Sequence, residues 1–177
     1  MALQNLVNRL RQFRTWHHWV GISVVLFMLI TSITGILLGW KKNVTLLQPV
    51  TLKGASTNLQ QWVSFNDVAT SALQAIDSVV GRTIEIDRMD VRPDIGIIKV
   101  TFKEGYWETQ IDAATGKVLS VAQRHADWIE HIHDGSIISE GFKLLYTNYI
   151  GLGLLTLSIT GFWLWYGPRR IRKIKRN

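Results

Sequence analysis

Trp19 to Trp40 runs without a single charged residue, and so does Leu144 to Tyr166. At about 1.5 Å of rise per residue, each run is long enough to cross the ~30 Å hydrocarbon core of a bilayer. A single segment there must satisfy its own backbone hydrogen bonds, so each run is read as a helix. The two runs end in near-copies of each other, SITGILLGW from Ser32 to Trp40 and SITGFWLWY from Ser158 to Tyr166. A pair of histidines precedes each run, His17 and His18 for the first, His131 and His133 for the second. The chain is therefore two similar membrane-type segments around a middle part of about 100 residues, room for one small domain.

The net charge of +7 hides a strong asymmetry. All 13 acidic residues lie between Asn43 and Phe142, which makes that segment negative. The basic excess sits at the two ends, in Arg9, Arg11 and Arg14 and again in Arg169, Arg170, Arg172, Lys173, Lys175 and Arg176. Basic flanks stay on the cytoplasmic side, so both termini are expected inside and the middle domain outside, which in a bacterium means the inner membrane with a periplasmic domain. The basic tail reads as a stop-transfer flank, not as a nucleic-acid contact. The chain has no Cys, which excludes disulfides, thiolate metal sites and cysteine nucleophiles of its own. No G-x-S-x-G elbow, H-E-x-x-H helix or phosphate-binding glycine loop is present.

In chain order, residues 1–15 read as an amphipathic lead on the inner membrane face and residues 16–42 as the first transmembrane helix, an uncleaved anchor. Gly35 and Gly39 form a G-x-x-x-G pair that invites close approach by another helix. Residues 43–123 form the periplasmic domain. It opens with a linker of little periodicity up to Trp62. A helix follows, capped by Ser64, carrying Val68, Ala72, Ala75, Ile76 and Val79 at helical spacing and stopped by Gly81. Strand-like runs at Thr83–Val91, Ile97–Lys103, Tyr106–Asp112 and Lys117–Val121, joined by short turns, predict an antiparallel meander packed on that helix. Acidic residues alternate along these strands, as on a solvated sheet face. Residues 124–143 form a periplasmic interfacial segment carrying His125, His131 and His133. Residues 144–167 are the second transmembrane helix, with Tyr146 and Tyr149 at its outer edge and Pro168 ending it. Residues 168–177 are a cytoplasmic basic tail. The fold class is thus membrane α+β, two transmembrane helices flanking a small helix-plus-meander domain.

Three features resemble the PepSY-associated transmembrane family: His17-His18-Trp19-Val20-Gly21 opening a span that ends in Thr34-Gly35; the meander closing on Gln110 to Leu119; and His133-Asp134-Gly135 before a span ending in Thr160 to Trp165. Together they cover the chain from about Arg11 to Arg169. The resemblance implies a PepSY-like domain. Larger members have at least four spans, and some are inner-membrane reductases that bind two b-type haems through histidines and release iron from ferric siderophores. This chain, with two spans, looks like half of such a protein.

A bis-histidine haem needs an imidazole on each side of the iron. His17 and His18 are adjacent and point about 100° apart on a helix, and His131 and His133 point about 200° apart. The two pairs lie at opposite ends of the spans. A second ligand must therefore come from another helix, and a homodimer forming a four-helix bundle supplies it. His17 and His133 match the family motif and are the first candidates for haem iron ligands; His18 and His131 are reserves, and His125 is read as a surface residue. This reading gives a haem b electron-transfer protein, a candidate oxidoreductase carrying electrons from quinol or a protein donor to a ferric chelate such as siderophore iron. The alternative is a cofactor-free, membrane-tethered PepSY module that binds and modulates a protease or transport complex.

Overall fold

The computed structural model describes residues 2–176. Its elements, in order, are α1 (Ala2–Gly39), α2 (Phe65–Val80), β1 (Ile86–Arg92), β2 (Ile97–Phe102), β3 (Trp107–Asp112), β4 (Val118–Gln123), α3 (His125–Asp134) and α4 (Glu140–Arg176). They fall into two compact units. One comprises the residues up to Ile36 with those from His131 onward; the other is Leu37–Glu130.

In the first unit α1 and α4 run antiparallel. Their register can be followed through glycines that admit the opposite helix. A methyl on Gly21 would meet Leu157 Cδ2 at 3.7 Å, one on Gly153 would meet Val24 Cγ1 at 2.7 Å, and one on Gly167 would clash with Leu10. Small residues at such a seam let two helix backbones approach, and dispersion holds them there. The expected pair Gly35 and Gly39 acts otherwise. Gly35 admits the His133 imidazole from the last turn of α3, and Gly39 has open space around it. Phe27 sits edge-on between Tyr146 and Tyr149, with ring centroids 5.7 and 5.8 Å away. The Tyr146 hydroxyl pairs with Thr31 Oγ1 at 2.8 Å, and the Tyr149 hydroxyl donates to the Ser23 carbonyl at 3.0 Å. Tyr146 is therefore buried against α1.

The remaining faces of the pair are bare. In the most apolar window of each long helix only 11% and 22% of the residues are buried, so the apolar surface is not spent on a protein core. Both helices are long and apolar enough to cross a membrane. α1 includes the amphipathic lead without a break, and α4 continues through Pro168 to Arg176. The proline removes one backbone donor, to the Leu164 carbonyl. Around it Arg169 Nη1 donates to the Trp165 carbonyl at 3.3 Å, and the helix goes on into the basic tail instead of ending.

In the second unit α2 packs on a four-stranded antiparallel sheet of order β1-β2-β3-β4. Ser64 accepts from Asp67 N at the helix start, and Gly81, at φ 75°, supplies the left-handed residue that ends it. Val68, Ala72 and Ile76 from α2 meet Ile98, Val100 and Ile111 in the core. Glu85 and Asp87 at the β1 edge are exposed, but over β2 and β3 the sheet's other face is not solvated, contrary to the reading from alternation. The linker lies across it as a strap. Leu52 N donates to Gln110 Oε1 at 2.9 Å, Gln110 Nε2 donates to the Val50 carbonyl at 3.0 Å, and Ala55 N donates to Asp112 Oδ2 at 3.0 Å. Beneath it Glu108, 1% exposed, accepts from Lys99 Nζ at 3.2 Å and Gln110 Nε2 at 3.0 Å, with Arg124 Nη1 3.5 Å from its other oxygen. A buried carboxylate is tolerable only when paired in this way.

Candidate functional site: two histidine cradles

The repeated Ser-Ile-Thr-Gly motif has one geometry in both helices. Ile33 and Ile159 point outward, 59% and 57% exposed, while Thr34 and Thr160 point to the helix seam, 8% and 3% exposed. Each threonine receives a histidine from the other half of the unit. His17 Nδ1, on α1, lies 2.8 Å from Thr160 Oγ1 on α4. His133 Nδ1, in the last turn of α3, lies 2.9 Å from Thr34 Oγ1 on α1. The glycine after each threonine leaves room for the ring. A methyl at Gly161 would stand 3.5 Å from His17 Cε1, and one at Gly35 would stand 3.3 Å from His133 Cε1. Thr-Gly is thus a cradle. The threonine holds the Nδ1 edge of an imidazole, and the glycine accepts its neighbouring carbon.

Donor counting fixes the tautomer. Thr34 Oγ1 stands 2.7 Å from the Ile30 carbonyl and Thr160 Oγ1 stands 2.7 Å from the Thr156 carbonyl, the back-bond a helical threonine makes. A hydroxyl has one proton. If it goes to the carbonyl, the oxygen must accept from histidine, so Nδ1 carries the imidazole proton. The reverse assignment leaves two acceptors facing each other at 2.7 Å in an apolar setting. In their neutral form His17 and His133 then present Nε2 as a bare lone pair. Among the described residues neither Nε2 has a hydrogen-bond partner. A histidine whose Nδ1–H is held by an oxygen and whose Nε2 is free is the arrangement that metal-ligating imidazoles adopt.

The other histidines are placed differently. His18 is exposed and rests edge-on to Trp19, with centroids 5.7 Å apart. His131 Nδ1 lies 2.6 Å from Ser136 Oγ, which donates to Asp134 Oδ1 at 2.6 Å, so His131 is tied into the loop between α3 and α4. His125 opens α3 and belongs to the other compact unit. The α3–α4 loop is also pinned by Lys143 Nζ, 2.8 Å from Asp134 Oδ2. Burial opposes ionisation of Asp134, but the hydrogen bonds from Lys143 and Ser136 and the lysine charge outweigh it and hold the carboxyl at about 2. His133, the residue before Asp134, therefore hangs from a fixed turn, whose Gly135 adopts φ 80° against Tyr146 and Phe142.

His17 also borders a groove of about 560 Å³ along α1, lined by His18, Gly21, Val25, Met28 and Leu157 among others. That volume lies in the range of small-molecule and cofactor sites, and its lining is mostly apolar. Sequence reasoning finds the histidines but not Thr34, Thr160, Gly35 and Gly161 as their supports. The signal is the repeat itself, which helix packing alone also explains. A comparison with curated proteins finds no match. The family described as the PepSY-associated TM region matches residues 14–177, across both long apolar helices and the domain between them. With two such helices and that match, the chain is a membrane protein and belongs to the PepSY-associated transmembrane family.

Proposed function

We propose that the chain is a membrane electron-transfer protein whose His17 and His133 bind the iron of b-type haem through Nε2. The observation that carries the proposal is the pair of Thr-Gly cradles, which hold two imidazoles at opposite ends of one helix pair with the ligating nitrogen free. The residues fit the group in two respects. The donor set is neutral imidazole in the ligating tautomer, and the groove beside His17 offers an apolar wall of suitable size. A bound b-type haem supplies reversible one-electron chemistry at iron. The chain's own part is to orient the rings through Thr34 and Thr160, to keep water from the seam, and to hold each Nδ1 proton in place. A second copy of the chain completes each site, because His17 and His133 of one chain cannot face each other across the bilayer.

In this reading the basic ends lie in the cytoplasm, the acidic domain lies in the periplasm, and electrons pass from quinol or a protein donor to a ferric chelate. The test is a reduced-minus-oxidised visible spectrum of the purified chain in detergent, with haem counted per chain. One haem for each chain, halved in His17→Ala and in His133→Ala but not in His18→Ala, supports the proposal. A colourless preparation from cells well supplied with haem sinks it and leaves the tethered, cofactor-free binding domain.

A further inference from the structure

The Leu37–Glu130 unit is close to neutral, with 11 Asp and Glu against 10 Lys and Arg, yet one cleft in it gathers mostly cations. A cavity of about 490 Å³ opens between the strap and the β1–β2 turn, and its walls carry Lys42, Lys53, Arg92 and Lys99 against Asp94. Two of these cations are already engaged. Lys99 Nζ bonds Thr51 Oγ1 at 2.9 Å and Glu108 at 3.2 Å, and Arg92 Nε stands 3.7 Å from Asp94 Oδ1. Among the described residues Lys42 and Lys53 have no ion-pair partner. Thr51 Oγ1 accepts from Lys99, so its own proton is free to donate into the cleft.

From this we infer that the cleft binds an oxyanion. Phosphate or carboxylate oxygens meet Lys42, Lys53 and Arg92, and the Thr51 hydroxyl donates to one of them. A recess lined mostly by cations concentrates the local potential, and charge-assisted hydrogen bonds in it are stronger than neutral ones. The inference does not depend on haem. Two sources share the chemistry, a soluble carboxylate and the headgroup of an anionic lipid.

The experiment uses the full chain in nanodiscs of zwitterionic lipid at low salt. Citrate is titrated by calorimetry; in parallel, phosphatidylglycerol carried through purification is measured by native mass spectrometry. Citrate binding marks a soluble ligand, and retained phosphatidylglycerol without citrate binding marks a lipid. In either case Lys53→Gln and Arg92→Gln each weaken binding about tenfold, while Lys117→Gln, an exposed lysine just before β4, leaves it unchanged. Binding of neither probe, or equal loss in all three variants, overturns the inference.

Discussion

Thr160→Val isolates the cradle from everything else the helix pair does. Valine keeps the shape of threonine and removes only the hydroxyl, so the seam at Gly161 and Gly153 stays packed. What is lost is the 2.8 Å contact to His17 Nδ1. Such a bond is worth about 1 kcal/mol net, and polar contacts between membrane helices average nearer ~0.6 kcal/mol. At about 1 kcal/mol the ratio of Nδ1–H to Nε2–H tautomer at His17 should fall about fivefold. The assay is nitrogen-15 NMR of histidine-labelled chain in detergent, without added haem, at a pH where the rings are neutral. The wild type should show His17 and His133 as Nδ1–H tautomers, with His18 free to follow the solvent preference. Thr160→Val should move His17 alone. If the wild-type His17 and His133 are Nε2–H, the donor count is wrong and the free-lone-pair argument falls with it, whatever the variant does.

Other expectations follow from the same contacts. Gly35→Ala puts a methyl 3.3 Å from His133 Cε1 and should displace that ring, whereas Gly161→Ala, at 3.5 Å from His17 Cε1, should be tolerated; the histidine carbon shifts of the two variants compare them directly. Asp134 titrates at about 2 when folded against an ordinary 3.8, so its contribution is present above pH ~4 and lost as pH falls toward 2. That amounts to about 2 kcal/mol, and hydrogen exchange in the loop around Ser136 should rise over that window in the wild type but not in Asp134→Asn. Glu108→Ala leaves the buried Lys99 ammonium without a counter-charge, while Arg124 keeps Asp127 at 3.1 Å; it should cost about 3–5 kcal/mol, read as loss of exchange protection in β2 and β3. The paired change Lys99→Met with Glu108→Leu should cost less than the single one, because it removes the uncompensated charge.

What was legible in the sequence is what depends on short-range order. α2 shows its apolar face at helical spacing between Ser64 and Gly81, and both caps are where the residues require them. The meander follows from Gly-containing turns, with strand starts displaced by up to three residues at β1. The second face of the sheet was not legible. Alternation marks Glu108, Gln110 and Asp112 as sharing a face, but it cannot say what covers that face. The cover is a strap without periodicity, held by side chains about 60 positions away in the chain. The cradles were hidden for a related reason. His17 and Thr160 become neighbours only once the antiparallel register is known, and that register is set by Gly21, Gly153 and Gly167 against Leu157, Val24 and Leu10. Pro168 misleads because its effect in water is to end a helix, whereas in an apolar surround the remaining backbone donors have no better partner than the helix.

The reciprocity of the cradles gives one more expectation. Each half of the unit lends a histidine to the other and holds the other's in return, so the two sites are either one cooperative device or two separate ones. Distance decides for separate. His17 lies at the Thr160 end, and Thr34 is 17 positions farther along the same helix, about 25 Å away at 1.5 Å per residue. Sites more than about 10 Å apart with no shared partner add within ~0.5 kcal/mol. Thr34→Val and Thr160→Val should therefore each shift only the tautomer of its own histidine, and the double variant should show the two single shifts side by side, with a thermal midpoint lowered by their sum. A double variant that loses markedly more than that sum would mean the seam between Val24 and Gly153 transmits strain from one end to the other. The two cradles would then have to be treated as one site.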